Sequence, residues 1–411
     1  DDAVQWIEPP LPQLGPNNDS NRTLTQVETV RTAPYNLDGT GITVLVFDGG
    51  TAYAGHQDFG GRLTVHDYSG TDTHPTHVAG TIGGSGAASG GLYRGMAPGV
   101  QLLSYGLEDN GVDGWLYTDP CDVETDYNEA INTYNAMVSN NSIGTNVAWN
   151  GFPCSWEGDY STTDILIDAM VRGSLGRTMR IVWSNGNERG GSCGLGYHTT
   201  APPACAKNHI TVGALNSNDD SMTDFSSWGP ADDGRIKPDL CGPGCQSNGD
   251  EGVTSCSDEG STAYTTMCGT SMSGPTVTGI CALLLQAWRT LYPGADLPRN
   301  STLKTFLTHT AADLGNFGPD YQFGYGSVRA KDAIDLLRSG NFVEDILSQG
   351  ESKDFFAIVI PTDTVFKATL AWDDYPGTAN TIPELVNDLD LVAIAPDGAT
   401  IHHPWTLDPD N

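Results

Sequence analysis

Ile42-Thr43-Val44-Leu45-Val46-Phe47-Asp48-Gly49-Gly50 is an apolar run closed by a carboxylate and two glycines. A short run of this kind, rich in β-branched side chains and ended by a turn signal, reads as a strand buried on both faces, the mark of a parallel sheet. The texture returns in Val100-Gln101-Leu102-Leu103-Ser104-Tyr105, Asn146-Val147-Ala148-Trp149, Arg180-Ile181-Val182-Trp183 and His209-Ile210-Thr211-Val212-Gly213. Helical stretches over 127–138 and 161–172 lie between them. The alternation predicts an α/β fold, a mostly parallel sheet with helices on both faces. An Asp ending such a strand lies at the carboxyl edge of the sheet, where ligand sites form, although an isolated Asp there is more often a turn residue.

Around this core the chain changes texture twice. Residues 1–35 are rich in Pro, Asn and Thr without sustained periodicity and read as an extended N-terminal arm. Beyond Ser339-Gly340-Asn341 the segments 353–360, 365–372 and 389–395 alternate with no helix between them, which predicts a small all-β domain over 340–411. The α/β domain is thus expected at 36–339. With 411 residues and 38 % hydrophobic content the chain can bury a sizeable core. Its 51 acidic and 19 basic residues give a formal charge of −32. Such a surface repels phosphate backbones and anionic headgroups, so neither nucleic acid nor a membrane is expected as a partner. The longest apolar stretch, 280–288, is too short to span a bilayer.

Nine cysteines without a Cys-x-x-Cys pair point to disulfides in an exported protein. The first residue is Asp1, which suits a chain whose signal and pro-segment have been removed, a secreted zymogen product. Cys281, inside Ile280-Cys281-Ala282-Leu283, reads as the odd buried thiol. Spacing does not fix the pairing of the others; Cys121 with Cys154 and Cys193 with Cys205 are plausible local bridges. Asn18, Asn21, Asn140 and Asn300 each open an Asn-x-Ser/Thr triplet, a weak pattern.

Two further segments carry chemistry. In Thr73-His74-Pro75-Thr76-His77-Val78-Ala79-Gly80-Thr81 a histidine stands at a helix start, suited to general base work, with His77 one turn later as a buried support. In Gly269-Thr270-Ser271-Met272-Ser273-Gly274-Pro275 a serine opens the most apolar helix, where its backbone N–H and the helix dipole favour a developing oxyanion. Alone, each has a plain capping explanation.

Together, in the order Asp48, His74, Ser271, these motifs resemble the subtilisin family of serine peptidases over about residues 36–336. The resemblance implies a secreted serine endopeptidase acting on protein or peptide substrates. Ser271 is then the nucleophile, His74 the general base and acid, Asp48 the group orienting it, and Asn187, in Gly186-Asn187-Glu188, the oxyanion donor. It also implies a substrate cleft with Ala148, Trp149, Asn150 and Gly151 on one wall, Ser184, Asn185 and Gly186 on the other, and Asp109, Asn110 and Gly111 as a second backbone-binding segment. No Asp or Glu stands at these wall positions, which argues against a strict requirement for Arg or Lys beside the cleaved bond. Two departures from the family pattern are Pro75 in place of Gly, and Gly49, which removes a possible hydroxyl donor to Asp48.

No cofactor is expected for catalysis. Structural calcium is expected, with Asp373, Asp374, Asp388 and Asp390 as oxygen ligands. The 340–411 region is similar to the jelly-roll domain following some bacterial alkaline subtilases, but holds only about four strands where a jelly roll needs about eight. A cleaved C-terminal segment or a partner is therefore expected to complete it. A catalytically dead binding module and an acid-active Ser-Glu-Asp peptidase are the rival readings; the latter type lacks a histidine base.

Overall fold

Seven parallel strands form one sheet in the order β2-β3-β1-β4-β5-β6-β7. The computed structural model describes residues 17–67, 69–107, 120–147, 150–194, 196–246, 252–358 and 365–409. Along the chain come α1 (Asn17–Leu24), α2 (Val27–Arg31), β1 (Thr43–Asp48), β2 (Leu63–Val65), α3 (Thr73–Gly83), β3 (Gln101–Gly106), α4 (Pro120–Asn132), β4 (Val138–Asn141) and α5 (Thr162–Arg172). They are followed by β5 (Arg180–Ser184), β6 (Ile210–Asn216), β7 (Leu240–Cys245), a β8–β9 hairpin (Val253–Cys256 and Tyr264–Met267), α6 (Thr270–Leu291), α7 (Asn300–His309), α8 (Ala330–Ser339), β10 (Ala393–Ile394) and β11 (Ile401–His402).

Alternation along each strand divides the core in two, because successive side chains point to opposite faces. Val44 and Val46 of β1 pack with α3, α6 and α8, whereas Leu45 and Phe47 pack with α4 and α5. The expected α/β class is therefore realised, with helices on both faces. Local chemistry sets the ends of these elements. A capping box between Ser161 and Asp164 starts α5, and Gly340, at φ 69°, ends α8 at the expected domain boundary.

The fold corrects several expectations. The fourth strand is not Asn146-Val147-Ala148-Trp149 but Val138–Asn141, whose Ser139, Asn140 and Asn141 are fully buried polar residues. They are satisfied internally: Tyr127 Oη bonds Ser139 and Asn141, and Thr278 Oγ1 donates to Asn140. An apolar-run criterion passes over such a strand, so α4 also lies earlier than the 127–138 reading. Residues 17–31 are not an extended arm but two short helices. Val27 and Val30 are buried, and the Arg22 and Arg31 guanidiniums donate to the carbonyls of Arg94 and Met96, so tertiary contacts hold helices that periodicity does not announce. Asn21, Asn140 and Asn300 are buried, which removes them as glycan acceptors in the folded chain.

Among the described residues the disulfides are Cys154–Cys193 and Cys245–Cys268, so Cys154 and Cys193 do not make the local bridges expected above. Cys154 stands on the 152–160 loop, which lies against the 188–194 loop. Cys205 is buried and donates to the Thr200 carbonyl. Cys281 is a buried free thiol, as expected, but Cys205, Cys241 and Cys256 are too.

After α8 the described residues contain only the two-residue pair β10–β11, antiparallel, and no jelly roll. The 353–358 and 365–372 stretches form no ladder, since alternation makes a strand only where a neighbour supplies hydrogen bonds. Instead the segment is pinned to the α/β domain by ions. Lys207 Nζ donates to Asp374 Oδ2 (2.7 Å), to the Tyr375 carbonyl (2.6 Å) and to the Glu384 carbonyl (3.0 Å). Arg235 pairs with Glu384, and the Arg172 guanidinium lies 3.7 Å from the centre of the Tyr375 ring.

Candidate active site

The carboxyl end of β1 lies between β3 and β4, with Asp48 beside Gly106 and Phe47 beside Asn141. Asp48 is 1 % exposed. Its Oδ1 accepts from the Gly49 N–H and stands 2.8 Å from His74 Nδ1. Its Oδ2, also buried, has no hydrogen-bond partner among the described residues, in keeping with the missing hydroxyl at Gly49.

His74 sits in the first turn of α3, where the Asp72 cap accepts from its backbone N–H at 2.7 Å. Pro75 is the third helical residue rather than the first, and its missing N–H is still one the helix leaves unpaired. Burial, the largest single influence, presses the His74 pKa down; the Asp48 charge and hydrogen bond, with Asp72, outweigh it, and the net direction is upward. His77 behaves oppositely. It is fully buried, donates from Nε2 to the Val253 carbonyl at 2.7 Å, and is pushed down to about 4 chiefly by burial. It is a neutral support.

Ser271 is the second residue of α6, a helix buried for most of its length. Pro275 has no N–H to give the Ser271 carbonyl four residues back, and that carbonyl accepts from Ser142 Oγ at 3.0 Å instead. In return Ser271 Oγ donates to the Ser142 carbonyl at 3.1 Å. The hydroxyl thus rests on Ser142. Cys245–Cys268 and the bond from Gly269 N to the Gly244 carbonyl (3.0 Å) hold this helix start against β7.

Asn187 follows β5 and is exposed, with its amide oriented by the neighbouring helix start. Its Oδ1 accepts from Thr270 N (2.9 Å) and Thr270 Oγ1 (3.0 Å), so Nδ2 is the end left to donate. A methyl built on Gly269 would lie 3.5 Å from Ser271 N and 3.6 Å from Asn187 Nδ2. The two donors therefore border one small space, kept open by a glycine. Asp48, His74, Ser142, Ile143, Asn187 and Ser271 all line one cleft of about 330 Å³.

The expected wall residues divide. Asp109, Asn110, Gly111, Ala148 and Trp149 lie outside the described residues. Asn150 and Gly151 follow in a turn, where Asn150 donates to the Thr145 carbonyl. Ser184 and Asn185 are buried and brace the site: Ser184 Oγ donates to the Thr270 carbonyl at 3.0 Å, and Asn185 Nδ2 to the Ser227 carbonyl at 2.6 Å. Trp183 is core, its indole holding the Ile143 carbonyl at 2.6 Å. Sequence reasoning misses Ser142 and Ile143 as cleft residues; Ser-Ile-Gly after a polar triplet is the available signal, hidden by the misplaced fourth strand.

The proposed calcium ligands do not converge. Asp374 accepts from Lys207, the Val386 and Asn387 N–H groups and Asn387 Nδ2, which uses both oxygens. Asp373 Oδ1 accepts from Ser301 N, and Asp388 and Asp390 are exposed. This set does not fit a calcium ion. Among the described residues His56, Asp58 and Cys256 do converge, but as a closed network with Ala263 and Tyr264.

The subtilase family model matches residues 39–326. Serine protease AprX of Bacillus subtilis is 32 % identical over 333 residues, covering 75 % of this chain and 69 % of that protein. Alkaline serine exoprotease A of Vibrio alginolyticus is 31 % identical over 259 residues, 61 % of this chain and 40 % of that one. Among solved structures, the Clostridium perfringens CspB protease superposes with a TM-score of 0.64 at 18 % identity, over 77 % of this chain and 99 % of its own.

Proposed function

Because this chain belongs to the subtilase family and is a serine endopeptidase, we propose that Asp48, His74, Ser271 and Asn187 carry its reaction. The observation carrying this reading is the 2.8 Å contact of Asp48 Oδ1 with His74 Nδ1 in the cleft that also holds Ser271 and Asn187. Ser271 Oγ turns from Ser142 and gives its proton to His74 Nε2 as it attacks the peptide carbonyl. Asp48 fixes the tautomer that leaves Nε2 as acceptor and stabilises the imidazolium. The oxyanion is received by Ser271 N–H and Asn187 Nδ2. Collapse expels the amine, protonated by His74, and leaves an acyl group on Ser271 that water removes by the reverse roles. Subtilases catalyse this without a cofactor.

Export from the cell is part of the proposal, supported by two disulfides, which persist in oxidising surroundings. Protein and peptide chains are the substrates. The 340–409 region is read as an accessory segment whose exposed apolar side chains, Phe356 and Ile358 among them, call for cover by further β-structure. The catalytic assignment is tested with a fluorophosphonate, which should label Ser271 stoichiometrically and abolish peptide hydrolysis; labelling elsewhere, or full activity after labelling, would refute it.

A further inference from the structure

The helix that carries the nucleophile begins without a capping side chain. Gly269 stands at the cap of α6 and offers no side-chain acceptor to the first turn. A Ser or Asp there would accept from the second or third N–H of the helix, and the second belongs to Ser271, the proposed oxyanion donor. Such a cap would compete with the reaction, so the helix start has to be fixed by other means. The approach to it makes this harder. β9, which runs into Cys268 and Gly269, pairs with β8 in a two-stranded sheet separate from the main one, and it is partly exposed along its length.

The Cys245–Cys268 disulfide spans this gap. Cys245 is the last residue of β7 in the main sheet, and its carbonyl accepts from Ser217 N at 2.8 Å. Cys268 directly precedes Gly269. Beside the bridge the two backbones approach closely: Gly269 N donates to the Gly244 carbonyl at 3.0 Å, and a methyl built on Gly244 would stand 2.5 Å from the Gly269 carbonyl oxygen. From there the contacts reach the oxyanion donors. Thr270 N donates to Asn187 Oδ1 at 2.9 Å, which leaves Asn187 Nδ2 beside the space that Ser271 N also borders. The bridge thus ties both donors to the main sheet through one short run of chain. It is also open to reagents, for Cys268 is exposed and Cys245 half-buried.

We propose that the Cys245–Cys268 disulfide is a redox-sensitive positioning element of the oxyanion hole: closed, it holds the two donors in place, and its opening by a small thiol lowers turnover while substrate affinity stays. The proposal rests on the peptidase reading above. An attacking thiolate bonds to the sulfur of the exposed Cys268 and expels Cys245 as a thiolate, which takes up a proton. A second thiol then attacks the mixed disulfide and frees Cys268. Two protein thiols form, and the two small thiols leave joined as one disulfide. With the bridge open, the hydrogen bond between Gly269 and Gly244 holds the helix start to β7 without a covalent tie. A donor displaced by about 1 Å costs more in the transition state than in the bound ground state, because the oxyanion exists only in the former.

The test follows hydrolysis of a peptide p-nitroanilide by the wild type in graded reduced glutathione. Alkylation and peptide mass mapping identify the opened bridge, and near-UV circular dichroism follows the fold. A Cys245→Ser, Cys268→Ser double variant is measured alongside, and a Cys154→Ser, Cys193→Ser double variant removes the other bridge. Opening Cys245–Cys268 should lower kcat about tenfold with KM changed by less than about twofold and the spectrum retained, and reoxidation should restore the rate. The variant lacking Cys245 and Cys268 should show the low kcat without thiol and respond no further, whereas the one lacking Cys154 and Cys193 should respond as the wild type does. If the first variant does not fold, the reversible response of the wild type carries the test. An open bridge with full kcat, a raised KM at constant kcat, a rate lost only in step with the folded spectrum, or a bridge that glutathione leaves closed would overturn the proposal. Those results leave the peptidase reading standing, because fluorophosphonate labelling reports on that separately: with the bridge open, Ser271 should still be labelled stoichiometrically, but more slowly.

Discussion

Residues 43–291 set their chemistry on strand ends and helix starts of one parallel sheet, whereas residues 340–409 cross the surface with a single two-residue pair of strands among those described. In the first region Asp48, His74, Ser271 and Asn187 are fixed by backbone geometry that the sheet and α6 impose. In the second, position depends on a few charged side chains gathered around Lys207 and Arg235. Alternating apolar residues occur in both. They become buried strands where neighbours complete the ladder and remain exposed where none does, as Phe356 and Trp405 do. Catalytic precision therefore belongs to the sheet, and attachment of the tail to ion pairs.

That contrast predicts effects of different kinds. The largest should come from the cleft. Asn187→Ala should lower kcat by about 10²–10³ with KM little changed, the size of loss that subtilisin itself shows when its own oxyanion asparagine is removed. Steady-state kinetics decide it; a raised KM at constant kcat would place Asn187 in ground-state binding instead.

A smaller effect on activity, and a larger one on attachment, is expected from the second region. Lys207→Met leaves Asp374 buried with only its amide donors and should weaken docking of residues 365–387 by roughly 3 kcal/mol, with kcat changed by less than about twofold. Limited proteolysis reads this directly as faster cutting after residue 340, and unchanged protection would show that the ion cluster is not what holds the tail. Acid should act the same way more gently. Burial, the largest influence, raises the Asp374 pKa, but Lys207, Val386 and Asn387 outweigh it and the net direction is down. Its contribution to stability is present above the unfolded carboxylate pKa and is lost as pH falls through the depressed folded value. Protection of the tail should decline in that window.

Legibility follows the same division. The strand ending at Asp48 and the helix starts at His74 and Ser271 are readable because apolar runs and glycine-rich turns are local signals. The fourth strand is not, because Ser139, Asn140 and Asn141 are buried polar residues satisfied by Tyr127 and Thr278, contacts that no local pattern encodes. That single displacement hides Ser142 and Ile143 from the list of cleft residues. Disulfide pairing depends on how the 152–160 loop folds over its neighbour. The four expected calcium ligands are not gathered for a related reason: Asp374 is acidic in the sequence but is already occupied by Lys207 in the fold.

The central claim is that His74, held by Asp48, is the base of the reaction, and the pH dependence of kcat/KM tests it most directly. With the Asp48 contact outweighing burial, the His74 pKa lies above the ordinary histidine value. The charged pair then stabilises the fold fully below the unfolded histidine pKa, and this contribution fades as pH rises through the raised value. Activity runs the opposite way, since the base must be neutral to accept the Ser271 proton. Measured on a peptide with Phe before the cleaved bond, kcat/KM should rise with pH along a limb whose apparent pKa exceeds that of an ordinary histidine. A limb in the carboxylate range, with full activity in acid, would contradict the assignment and return the reaction to a carboxylate base.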